Sequence, residues 1–140
     1  MMSIFYNNEA EFIVSMKVKT KEFDALVRIA CRRLPEEVRA KMKNVVITVK
    51  KRPTPEMLFE MGFSEDAQLL GLYWGTPYPE RTFFAPPPIY PDTIFIFQEP
   101  LEERCRNVEE LTGEIEITLV HEIAHFLGMD EKHIKELGYG

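Results

Sequence analysis

Nothing in this chain constrains its fold more than the stretch from Asn107 to Gly128, NVEELTGEIEITLVHEIAHFLG. Asn107 is a strong N-cap, and Glu110 three residues on completes a capping-box pattern. Gly113 is a tolerated weak spot and Gly128 a stop. The pattern predicts one long apolar helix ending at Leu127, and a helix that apolar must be covered by the rest of the chain. At 140 residues, the chain is long enough to bury one core and short for two. We therefore expect a single domain over residues 1–140, with residues 1–15 a leader of little weight and Met16 an alternative start.

The remaining elements follow from caps and periodicity. Thr20 is placed to cap a helix that sets Phe23, Leu26, Val27, Ala30, Cys31 and Leu34 on one face. After Pro35 a short helical turn runs through EEVRAKMK, and Val45–Lys50 reads as a β-branched strand. Thr54, Pro55 and Gly62 are the cap, first residue and stop of a short helix. The glycine- and proline-rich region from Ser64 to Asp92 holds an extended piece around LLGLYW and is too long for a plain connection. Thr93–Phe97 is a second strand, Pro100 opens the short helix LEERCRN, and Asp130 caps a last helix, EKHIKEL, ended by Gly138.

Composition removes several classes of function. No apolar run approaches the roughly 20 residues that a membrane span requires, and the first residues lack the basic start of a secretory signal. The expected compartment is the cytoplasm, with no membrane partner. From Gly71 onward there are 5 basic and 13 acidic residues, a net −8 against +2 for residues 1–70. That balance argues against nucleic acid. Cys31 and Cys105 lack paired spacing and read as buried free thiols.

All three histidines fall within HEIAHFLGMDEKH, residues 121–133. His121 and His125 stand one helical turn apart, close enough for two imidazoles to meet one metal ion. Glu122 lies beside the first, as in H-E-x-x-H sites, whose chemistry is a metal-activated water that yields its proton to the carboxylate. By chance alone this motif occurs in roughly one chain of this length in a few hundred, but here it closes a long apolar helix with a glycine three residues after the second histidine. A catalytic zinc needs three protein ligands and one open position. The slot three past Gly128 is Glu131, which ranks first as third ligand. His133 ranks second and Asp130, with its competing role as a cap, third. A metzincin would need histidine at position 131 and a methionine turn after it, and neither is present. A third ligand on a second downstream helix has too few residues to reside in.

Two stretches, LLGLYWGTPYPER (69–81) and LVHEIAHFLGMDE (119–131), with ELGYG closing the chain, resemble the mini-zincins, minimal bacterial zincin-like metallopeptidase domains of the HExxHxxGxxD type. The likeness covers about Lys21 to Gly140. It implies an α/β (α+β) domain in which a first helix and a small mixed sheet pack on the active-site helix. It also implies one zinc per chain, on His121, His125 and an acidic residue three past the glycine. That residue is usually aspartate in the family; this chain has Glu131, and recruitment of His133 stays open. An aromatic residue near the C-terminus supports the site in that family, and Tyr139 matches it.

The expected activity is zinc-dependent hydrolysis of a peptide or protein substrate, with Glu122 as general base. The alternative is a non-catalytic zinc-binding or regulatory module that keeps the fold. An extended substrate would lie antiparallel on a sheet edge, either Thr93–Phe97 or part of LLGLYW. Tyr73 or Arg81 are candidates to contact it, although turn geometry explains that region more simply. A second copy can complete so shallow a cleft, which leaves a homodimer open.

Overall fold

The computed structural model describes residues 2–6, 12–75, 91–136 and 138. Strands β1 (Met2–Tyr6) and β2 (Phe12–Met16) form an antiparallel hairpin. The Met16 amide donates to the Cys105 carbonyl at 3.2 Å, which fastens the hairpin to the rest of the fold. Helix α1 (Thr20–Arg32) and the short α2 (Glu36–Lys41) lead into β3 (Val45–Lys50) and α3 (Pro55–Glu60). Strand β4 is Gly71–Trp74 and β5 Asp92–Phe97; then come α4 (Gln98–Glu103), α5 (Val108–Phe126) and α6 (Glu131–Glu136).

The architecture is α+β, as expected. Three strands form a mixed sheet in the order β3-β5-β4, with β3 parallel and β4 antiparallel to β5. Helix α5 is the axis, and α1, β4 and β5 all pack against it. Phe23 and Val27 of α1, Ile94 and Ile96 of β5, and Leu111, Ile115, Leu119 and Ile123 of α5 form the buried core. Each of the four α5 residues removes roughly 1.5–3 kcal/mol of apolar surface from water, so packing holds this helix more than its intrinsic propensity.

The end signals act as their chemistry dictates, with two corrections. Thr54 Oγ1 accepts from the Met57 amide at 3.1 Å, and Asn107 Oδ1 from the Glu110 amide at 2.8 Å. Thr20, by contrast, is the first helical residue and Lys19 the cap, without a side-chain bond. Pro100 lies inside the first turn of α4, which starts at Gln98 and stops at Glu103. A first-turn residue needs no intrahelical N–H partner, so proline fits there as well as at the opening position. The β1–β2 hairpin stands where only a leader is expected from sequence; MSIFY and FIVSM are short, and each is completed by pairing with the other. Among the described residues no helix is long and apolar enough to cross a membrane.

Strand β5 is paired on both sides, so it offers no edge to a substrate. Of the two strands expected to do so, only β4 has an open side among the described residues, and that side borders the C-terminal half of α5.

Candidate metal centre

His121 and His125 occupy successive turns of α5. Their ring centroids are 4.9 Å apart and the two Nε2 atoms 3.2 Å. Two imidazole nitrogens so close, both turned to the same point, are at odds with each other unless a proton or a cation sits between them.

The turn after α5 brings up a third donor. The Gly128 amide donates to the His125 carbonyl at 3.0 Å and the Met129 amide to the Ala124 carbonyl at 2.9 Å. These bonds make a Schellman closure, and Gly128 takes the left-handed φ of 88° that the closure requires. Asp130 caps α6, its Oδ1 accepting from the His133 amide at 2.8 Å. Glu131 is thereby carried back over the histidines. Its Oε1 lies 2.8 Å from His125 Nε2 and 3.3 Å from His121 Nε2.

The three donor atoms thus stand 2.8, 3.2 and 3.3 Å apart. Corners of a tetrahedron around a metal with bonds of about 2.0–2.1 Å stand roughly 3.3 Å apart, so the donors fit three corners of a zinc coordination shell. Two nitrogens and a carboxylate oxygen are also a donor set that zinc accepts. The two histidines hold the Glu131 carboxyl below its ordinary value: the cost of partial burial is outweighed by their charges and hydrogen bonds.

Glu122 is the competing carboxylate, since it too offers an oxygen within 4.8 Å of both imidazoles. Partners tell the two apart. Glu131 touches both rings, whereas Glu122 Oε1 accepts the Tyr73 amide of β4 at 2.8 Å. Burial pushes the Glu122 carboxyl up, against the pull of His121, His125 and the Tyr73 amide. A carboxyl raised this way is a stronger base near neutral pH.

The approach of β4 to α5 depends on Gly71. A Cβ there would lie 2.7 Å from Thr118 Cγ2, 3.1 Å from the Phe95 carbonyl and 3.2 Å from Glu122 Cγ. Further along, the buried Asp92 takes the Tyr73 hydroxyl on Oδ2 at 2.9 Å, and the Tyr73 ring meets Phe126 edge-on. Read from sequence, this region is turn geometry, and its hold on Glu122 does not show. A glycine inside a β-like run, the signature of close backbone approach, is the available signal. We expect Gly71→Ala to separate strand and helix, lowering stability by about 1–3 kcal/mol. A melting temperature indistinguishable from wild type would show that the approach has slack.

Of the other candidates, Asp130 is occupied as the cap and His133 lies exposed on α6. Tyr139 and Arg81 lie outside the described residues.

A long helix bearing H-E-x-x-H, a carboxylate returned by the next helix, and a sheet edge laid over the glutamate define the zincin-like class of domain. The family model of zincin-like metallopeptidases matches residues 42–140. The chain belongs to that family. No curated protein matches it.

Proposed function

We propose that this protein is a zinc-dependent endopeptidase, with one zinc per chain held by His121, His125 and Glu131 and with Glu122 as general base. The observation that carries the reading is the convergence of three donors beside a fourth, separately anchored carboxylate. A purely structural zinc site closes with four protein ligands. Among the described residues three donors meet here, and this favours catalysis over a regulatory zinc module.

Zinc, when bound, supplies Lewis acidity that makes water a nucleophile near neutral pH and polarises a carbonyl. The chain's own residues do the rest. The Tyr73 amide fixes Glu122 through Oε1, leaving Oε2 to take a proton from the attacking water and pass it to the departing amine. Buried beneath β4, the carboxyl accepts that proton at little cost in lost solvation.

The open side of β4 binds the substrate in this reading. The Leu70 carbonyl accepts from the Phe97 amide at 2.9 Å, so by antiparallel alternation the backbone groups of Gly71 and Tyr73 face away from β5; the Tyr73 amide is held by Glu122, which leaves the Gly71 amide and carbonyl and the Tyr73 carbonyl to a substrate. An extended peptide running antiparallel to β4 pairs there with its scissile bond over the histidines.

Incubating zinc-loaded protein with a mixed peptide library, read by mass spectrometry, tests this. We expect cleavage that a chelator abolishes and one equivalent of zinc restores. Intact peptides in the presence of bound zinc would contradict it.

A further inference from the structure

A cleft of about 270 Å³ opens beside His121 and Glu122 and runs toward the start of α5, between that helix and the segment entering β4. Leu69, Leu70, Ile117 and Thr118 supply its apolar surface, and Arg104 and Glu114 its outer charges. Ile117 is 38% exposed, an apolar side chain left open where a ligand would cover it.

The direction of the strand says which end of a substrate enters. A peptide antiparallel to β4 reaches Leu70 and Leu69 with its C-terminal portion. Arg104 is on that side too: Leu70 pairs with Phe97, α4 begins at the next residue, and Arg104 is its C-cap. Among the described residues the Arg104 side chain forms no hydrogen bond or ion pair, whereas Arg52 is engaged with Glu99 and Glu103 of α4.

We infer that Arg104 reads a carboxylate of the substrate on the C-terminal side of the cleaved bond. The inference rests on the peptidase reading and adds to it a substrate class. Glu114 and His121 are seven residues apart on α5, about 10 Å along the helix. That span corresponds to roughly three residues of extended chain at about 3.3 Å each. The carboxylate therefore belongs two to three residues past the cleaved bond, as the free C-terminus of a short peptide or as an aspartate or glutamate side chain. A planar guanidinium matches either in bidentate fashion. Glu114 carries the opposite charge, and a basic side chain seated against it is the competing occupant.

The probe is an acetylated alanine pentapeptide with leucine at its third position, prepared as the free acid, as the C-terminal amide, and as amides with aspartate, asparagine or lysine at the fourth position. Binding is measured by calorimetry to zinc-loaded Glu122→Gln, which cannot turn the peptides over, and cleavage is measured with the active protein. We expect the free acid or the aspartate amide to bind about fivefold or more tightly than its neutral counterpart. That ratio should fall to near one in Arg104→Gln and return in part in Arg104→Lys. Preference for the free acid alone identifies a C-terminus reader, and preference for aspartate alone an acidic-residue reader. Ratios within twofold of one in Glu122→Gln with Arg104 intact, or tighter binding of the lysine peptide, would overturn the inference. Carboxylate preference without any cleavage would leave Arg104 standing and remove the peptidase reading instead.

Discussion

Replacing Glu122 by glutamine should lower peptide turnover by about 100-fold to 10,000-fold, the usual worth of a positioned general base, and leave zinc content unchanged. Glutamine keeps the shape of the side chain and can still accept the Tyr73 amide through its carbonyl oxygen, so the sheet edge stays in place. The variant also separates the two carboxylates near the histidines. If zinc leaves with the Glu122 carboxylate, then Glu122 is a ligand rather than a base. If turnover persists, the proton goes elsewhere.

Stability should move the other way. Burial raises the Glu122 carboxyl above its ordinary value. Its contribution to stability is therefore present below the unfolded-state pKa and lost as pH rises through the folded-state value. Glutamine avoids that loss. Metal-free Glu122→Gln should melt at or above metal-free wild type at neutral pH, and the two should converge as pH falls toward the ordinary glutamate range of about 4.3. A variant less stable than wild type at neutral pH would show that the Glu122 charge is stabilising.

The second large effect is expected at Glu131. Its carboxylate meets both imidazoles, so Glu131→Ala should weaken zinc binding by more than the roughly 10-fold to 100-fold typical of an outer-shell partner. Competition with a chromophoric chelator measures this. Asp130→Ala and His133→Ala should stay within about tenfold of wild type, because neither belongs to the proposed ligand set; Asp130→Ala should instead cost about 1 kcal/mol through the lost cap. Retention of zinc in Glu131→Ala with its loss in His133→Ala would reverse the assignment of the third ligand.

What is readable in the sequence is what is local. Asn107 with Glu110, Thr54 with Met57, and Gly128 after His125 are signals whose partners lie within a turn, and each fixes an element end by a bond formed inside that turn. The slot of Glu131 is legible for the same reason, since a Schellman turn carries the chain back by a set amount. The partner of Glu122 is not. It is a backbone amide 49 positions away, and an amide has no residue type by which to be recognised. Only Gly71 hints at it, through the absence of a side chain. The choice between β4 and β5 as the open edge is equally out of reach, because it depends on which strand β3 joins. Pro100 misleads by less than a turn: a proline marks where a helix can begin, and the first turn offers several such places.

X-ray absorption at the zinc edge, on tag-free protein purified without chelator, would read the ligand shell itself. About one zinc per chain is expected, with two imidazole nitrogens, one carboxylate oxygen and one further oxygen at about 2.0–2.2 Å. The imidazole signal should halve in any zinc retained by His125→Ala. Absence of zinc after supplementation, or a shell with three imidazoles, would contradict a site built from His121, His125 and Glu131.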